Sequence, residues 1–249
     1  MHSRQVYSAP ALDKGLSIIE LLANAQKPMS LRAIADRLGR SKGEIFRMVF
    51  VLVERGYLRR DAATDELTLS NRLFELGMRT PRSRQLVEVA IPAMERLSDR
   101  IGHSSHLVVV NKGETVVIAT AAGSAEVGLT LRLGYRRAAL DATSGRVIIA
   151  FQDLARRKEM IGATTQPKGV TMSRLIKNLD EIRSKGFLIA PSHDVIGVTD
   201  VCAPILNIRK QAMASIVVPC LNRHGTGESH EDIANGLIET CRVISAGLR

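Results

Sequence analysis

Residues 30–44 carry the tightest punctuation in the chain. Ser30 precedes an apolar set at Leu31, Ile34, Ala35 and Leu38, the i, i+3, i+4, i+7 spacing of one helix face, and Gly39 follows as a stop. Only Arg40 separates Gly39 from Ser41-Lys42-Gly43-Glu44. That tetrapeptide is a capping box, with serine at the N-cap and glutamate at the third helical position. Another helix therefore starts almost where the previous one ends. Its apolar stripe is Ile45, Met48, Val49, Leu52 and Val53, and Gly56 stops it. Two short helices joined by a tight glycine-containing turn, the second capped and basic, make a helix-turn-helix.

The flanks extend this unit. Leu12, Gly15, Leu16, Ile19 and Leu22 recur at helical spacing, so a helix packing through that face is expected over residues 12–25, with Pro28 ending it. Beyond Gly56, Tyr57-Leu58-Arg59-Arg60 and the alternating Leu67-Thr68-Leu69-Ser70 flank the polar turn Asp61–Asp65, the pattern of a two-stranded wing. Charge gathers in the same place. The net charge is +10, and residues 26–60 hold nine basic against three acidic side chains. A charge excess by itself signals a solvated face. Laid on a capped helix that fits a major groove, it points to double-stranded DNA. Lys42 and Arg47 lie off the buried stripe, so Arg47 suits a guanine edge or a phosphate and Lys42 a phosphate. Ser41 can donate to a phosphate as well as cap. Arg32, and Arg59 and Arg60 on the wing, complete the cationic set. Glu44 is first a capping residue and then a candidate for the DNA face. Phe46 and Phe50 are read as packing residues.

Residues 71–80 read as a helix running to Pro81. The expected division is a winged helix-turn-helix over 1–70, a linker helix over 71–82 and a larger domain over 83–249. In the larger part a helix carries Leu86, Val89, Ala90, Ala93, Leu97 and Ile101 on one face and stops at Gly102. Strands follow at His106–Val110 and Thr115–Ala119 around an Asn-Lys-Gly-Glu turn, then at Val127–Leu133, Phe187–Ala190, Val198–Leu206 and Met213–Val218. Helices are expected at Thr143–Gln152, Leu154–Met160, Ser173–Ser184 and Glu228–Leu248. This is an α+β domain with an antiparallel sheet and helices against it. No apolar run approaches the 18 residues of a membrane span. The N-terminus lacks the apolar core of a signal peptide. Cys202, Cys220 and Cys241 form neither a full disulfide set nor a zinc spacing, so a cytoplasmic chain without a metal or cofactor is expected.

The ordered set of segments resembles the IclR family of bacterial transcription regulators over nearly the whole chain. It runs from Ala11-Leu12-Asp13-Lys14-Gly15-Leu16-Ser17-Ile18-Ile19-Glu20-Leu21-Leu22 through Leu31–Ala35 and Glu54-Arg55-Gly56-Tyr57-Leu58 to Leu67–Gly77. Leu131-Arg132-Leu133-Gly134, Leu140–Arg146 and Gly197–Ile205 continue it. The resemblance implies a winged helix-turn-helix, a linker helix and an effector-binding domain related to the GAF fold. It further implies a homodimer or homotetramer on a palindromic operator, controlling small-molecule catabolism through an organic acid or aromatic ligand. Three departures stand out: Gly43-Glu44 where the family commonly has Ser-Thr, Asp141 where it has His, and Val217-Val218-Pro219 where serines are usual.

The matching pocket segments nominate Thr143, Ser144 and Gly145 at a helix start, and Asp200 and Cys202 on a strand, as effector-binding residues. A helix N-terminus offers free N–H groups and a favourable field to a carboxylate. The plainer reading makes Thr143 or Ser144 a cap and Cys202 a small buried apolar residue. His193 and Asp194 either line the mouth or are solvated. The competing class is a hydrolase. Gly102-His103-Ser104-Ser105-His106 has a Gly-x-Ser start, but His106 stands where a nucleophile elbow needs glycine. No third ligand completes a metal site with His103 and His106.

Overall fold

The computed structural model describes residues 9–78, 81–125, 128–167, 169–221 and 229–248. The chain divides into two compact units, Met1–Pro81 and Arg82–Arg249.

The first unit places α1 (Pro10–Ala23), α2 (Leu31–Leu38) and α3 (Lys42–Glu54) before a hairpin of β1 (Leu58–Arg60) and β2 (Leu67–Leu69), then α4 (Arg72–Met78). The caps act as the sequence implies. Ser30 Oγ accepts the Ala33 N–H at 3.2 Å, and Gly39 takes φ +62°, a left-handed conformation that ends α2 without a Cβ clash. Ser41 and Glu44 form both halves of the capping box on α3. Ile18, Leu22, Ile34, Ala35, Ile45, Val49, Leu58 and Leu67 make the core. Two expectations fail here. Leu12 and Leu16 are exposed; of the expected face Leu22 is buried, and Ile18 is the other buried residue of α1. Phe46 and Phe50 are exposed too, since each sits about 100° around the helix from the buried Ile45 and Val49.

The second unit begins on α5 (Pro81–Ile101). The remaining order is β3 (Ser105–Asn111), β4 (Glu114–Ala121), β5 (Arg136–Ala138), α6 (Thr143–Ala150), α7 (Leu154–Ala163), α8 (Met172–Lys185), β6 (Leu188–Pro191), β7 (Val198–Leu206), β8 (Ala212–Leu221) and α9 (His230–Gly247). The six strands form one antiparallel sheet in the order β5-β4-β3-β8-β7-β6. Strand alternation sorts side chains to two faces. Val201, Ala203, Ile205, Ile216 and Val218 pack with α5 and α9, while Val108, Val117, Cys202 and Val217 pack toward α6, α7 and α8. Expected and observed elements agree closely except in one stretch. Residues 128–133 form no strand, and 126 and 127 lie outside the described residues. The Leu131 N–H goes to the His106 ring at 2.9 Å rather than to a neighbouring strand, and the edge strand forms later, at Arg136–Ala138.

Candidate functional site

Two sites emerge, one in each unit. The first is the outer surface of α3 and the wing. Lys42 and Arg47 are exposed and make no ion pair among the described residues. Arg59 is exposed on β1, and Arg60 beside it pairs with Asp65 at 3.0 Å. Arg32, on α2, reaches Asp36 at 3.9 Å with both side chains largely in solvent, a pair worth little. Glu44 is differently placed. Its Oε2 accepts from the Ser41 N–H and hydroxyl, and its Oε1 from Lys14 Nζ at 3.0 Å, with Arg40 at 4.0 Å. The Ser41 backbone bond and then the Lys14 and Ser41 side chains hold its pKa at about 2. The carboxylate is therefore always ionised near neutrality and already committed to this end of the helix.

The second is a cavity on the α6 side of the six-stranded sheet. Its walls include Val108, Val117 and Val217 from the sheet and Thr143 and Ser144 from the start of α6. No side chain caps α6, because its N-cap is Ala142. Thr143 Oγ1 instead donates to Asp200 Oδ2 at 3.0 Å, across from β7. Burial pushes the Asp200 carboxyl up, against the opposing pull of Thr143 and Arg146. Arg146 is itself held down by burial, and its Nε has no hydrogen-bond partner among the described residues.

Of the five nominated residues, Thr143, Ser144 and Asp200 line this cavity. Gly145 and Cys202 do not. A Cβ on Gly145 would stand 2.1 Å from the Ala139 carbonyl oxygen, so that glycine lets α6 seat on the chain before it. Cys202 is fully buried in the apolar layer, and burial pushes its thiol well up. The Cys220 and Cys241 thiols are pushed to about 12 by burial as well.

Sequence reasoning missed the strongest polar feature of the cavity. His106 lines it and is fully buried. Because Nε2 accepts the Leu131 N–H, the neutral ring carries its proton on Nδ1, and the Val217 backbone is the ring's other hydrogen-bonding neighbour. Burial pulls its pKa to about 4, opposed only in part by the Val217 backbone. In the sequence His106 stands out only as part of an incomplete metal or nucleophile pattern, which carries no sign of a pocket. Ser104, the other half of that pattern, is buried and donates to the Leu129 carbonyl. Among the described residues no group of three or more His, Cys, Asp or Glu is placed to hold a metal ion.

The mouth is closed by a side-chain clasp. Arg137 on β5 pairs with Asp194 and contacts His193, and the Tyr135 hydroxyl donates to Asp194 at 2.7 Å. β5 and β6 are opposite edges of the sheet, and His193 and Asp194 follow β6 directly. The sheet must therefore curl until its two edges meet over the cavity.

Comparison with known proteins places both units. The IclR helix-turn-helix domain matches residues 11–62, and the C-terminal domain of bacterial transcriptional regulator IclR matches residues 78–246. The HTH-type transcriptional regulator BhcR of Paracoccus denitrificans is 27% identical over 247 residues, covering 96% of this chain and 87% of the relative. The Thermotoga maritima IclR structure superposes with a TM-score of 0.74 at 24% identity, over 95% of this chain and 98% of that one. An IclR homologue from Microbacterium hydrocarbonoxydans, complexed with 4-hydroxybenzoate, superposes with a TM-score of 0.81 at 21% identity, over 96% and 99%. Among the described residues no helix is long and apolar enough to cross a membrane. With both of its units matched in order, the chain belongs to the IclR family of transcriptional regulators.

Proposed function

We propose that this regulator reads an operator through α3 and the wing and is switched by a small organic acid or aromatic compound held in the cavity of its larger unit. The observation that carries the reading is the cavity itself. It encloses the buried His106 ring, an uncapped helix start at Thr143 and Ser144, and apolar walls, with a clasp over the mouth. A ligand with one acceptor-rich end and a compact apolar body complements it. The homologue complexed with 4-hydroxybenzoate supports that chemical class.

On the DNA side, Arg47 reads a base edge or a phosphate, and Lys42, Ser41, Arg32, Arg59 and Arg60 hold the backbone. Glu44 orders the start of α3 rather than reading a base. Residues 1–70 form the DNA-reading part, 71–82 the linker helix and 83–249 the effector-binding and oligomerisation part. The protein works as a homodimer or homotetramer in the cytoplasm, has no enzymatic activity and governs a catabolic operon. Ligand shifts DNA affinity only to the extent that it binds the free and DNA-bound proteins unequally.

Binding to DNA from directly upstream of its own gene, against random DNA over a salt series, tests the reading. A preference that survives physiological salt is expected, and 4-hydroxybenzoate then serves as the first probe for a change in affinity. Equal, steeply salt-dependent binding to both DNAs would reduce the interaction to net charge. Arg47→Ala should weaken operator binding by roughly 1–3 kcal/mol and relax one base preference.

A further inference from the structure

The solvent face of α3 is not the polar face that a surface helix normally presents. Gly43, Phe46, Arg47, Phe50 and Glu54 run down it at helical spacing. Phe46 is 49% exposed and Phe50 56%. Nothing lies within 4 Å of a methyl group built on Gly43. Helical side chains lean toward the N-terminus, so Phe46 overlies the turn that holds Lys42 and Gly43. The result is a shallow apolar surface, open at Gly43 and rimmed by Lys42 and Arg47, which make no ion pair among the described residues. The acid at this end, Glu44, is held by Lys14 and Ser41.

A cationic rim around an apolar notch selects its occupant. It asks for a polyanion that also presents a small apolar group. A DNA major groove does so, because thymine alone among the unmodified bases carries a 5-methyl group on its groove edge. We propose that Phe46, beside the open surface at Gly43, receives the 5-methyl group of a thymine and makes the operator specific at that base. The assignment rests on the DNA reading above. It gives a role to the glycine that departs from the family pattern: a side chain at position 43 would fill the space through which the base edge approaches. Phe46 is then a specificity-determining residue that uses no hydrogen bond, while Arg47 beside it supplies the polar contact.

The test removes single methyl groups. Duplexes bound by the wild-type protein are selected from a random pool, and each thymine of the enriched sequence is replaced in turn by uracil. At one thymine, uracil should weaken wild-type binding by about fourfold, the worth of one methyl group taken out of water. Phe46→Ala should lose a similar factor on thymine DNA and be indifferent to uracil at that position. Phe46→Leu, which keeps an apolar surface, should retain the discrimination. Equal uracil sensitivity in wild type and Phe46→Ala would overturn the proposal, as would no sensitivity at any thymine. So would unchanged DNA affinity for Phe46→Ala with an altered mass in solution, which would make the surface a protein contact. A pool that enriches no sequence would overturn the DNA reading itself.

Discussion

Glu44 and Asp200 are both carboxylates that accept a hydroxyl hydrogen bond, and the two regions treat them in opposite ways. Glu44 stands at the surface, where the Ser41 backbone, Lys14 and the Ser41 hydroxyl lower its pKa to about 2. Asp200 faces Thr143 inside the cavity, where burial raises its pKa despite Thr143 and Arg146. Hydrogen bonds decide the outcome where water still solvates the charge, and desolvation decides it where water is excluded. The smaller unit thus presents settled charges to a polyanion. The larger unit stores polar groups in poor solvation, where a matching ligand can relieve them.

That contrast can be broken at several points. Gly145→Ala should do the most damage, because the new methyl group meets the Ala139 backbone rather than a movable side chain. A loss of about 3 kcal/mol is expected in the unfolding of the larger unit, with the ligand response lost too. A stability like that of the wild type would show that α6 tolerates being lifted and that the cavity wall is soft.

His106 should show nearly as large an effect in acid. Its pKa falls from 6.5 to about 4 on folding, so as pH drops through that interval the unfolded chain takes up a proton that the folded chain refuses. Folding should lose about 3 kcal/mol between those pH values. Denaturant melts across that range check this, and the corresponding slope should flatten in His106→Gln. An unchanged slope would mean that water reaches the ring.

On the surface side the effects are smaller. Ser41→Ala removes the N-cap of α3 and should cost about 1 kcal/mol. It should raise the Glu44 pKa only in part, because the backbone N–H at position 41 and Lys14 still hold the carboxylate, and a carboxyl NMR titration reads that rise. The sharpest comparison is the smallest in size. Glu44 supports folding above pH 4.5 and loses that support as pH falls toward 2, so Glu44→Gln should flatten the acid limb. Asp200 has the opposite sign, since a raised pKa makes its ionised form a burden near neutrality. Asp200→Asn should stabilise the protein at pH 7. Destabilisation there would mean that the Thr143 bond outweighs burial.

Local signals were read well wherever the backbone decides its own fate. Ser30, Gly39, Ser41 and Glu44 act through hydrogen bonds and φ values set within a few residues, and their roles were legible in order. Strands β7 and β8 announced themselves by apolar runs. Failures came where a side chain far along the chain intervened. His106 takes the Leu131 N–H from 25 residues away, so the apolar stretch around Leu131 became a loop. The exposure of Phe46 was hidden for another reason: hydrophobicity at helical spacing marks a face, but not whether protein or something else covers it. Cys202 and Gly145 belong to the same family segments as Asp200 and Thr143. Asp200 and Cys202 share one face of β7, but Cys202 lies fully within the apolar layer while Asp200 reaches the cavity, and Gly145 serves by lacking a side chain, so segment membership could not sort them.

The two rims of the six-stranded sheet have one more consequence. β5 is three residues long and carries Arg136 and Arg137, with Arg136 tied to Glu114 at 3.1 Å, while β6 is four residues long and ends on Pro191, which has no N–H to offer. Short, cationic or proline-ended rims give a foreign strand nothing to extend, and the clasp ties one rim to the loop that leaves the other. Behind them lie the long apolar strands β3, β4, β7 and β8. A truncation or substitution that strips β5 away would uncover the backbone of β4 at Thr115 and Val116. The same sheet would then become a seed for aggregation.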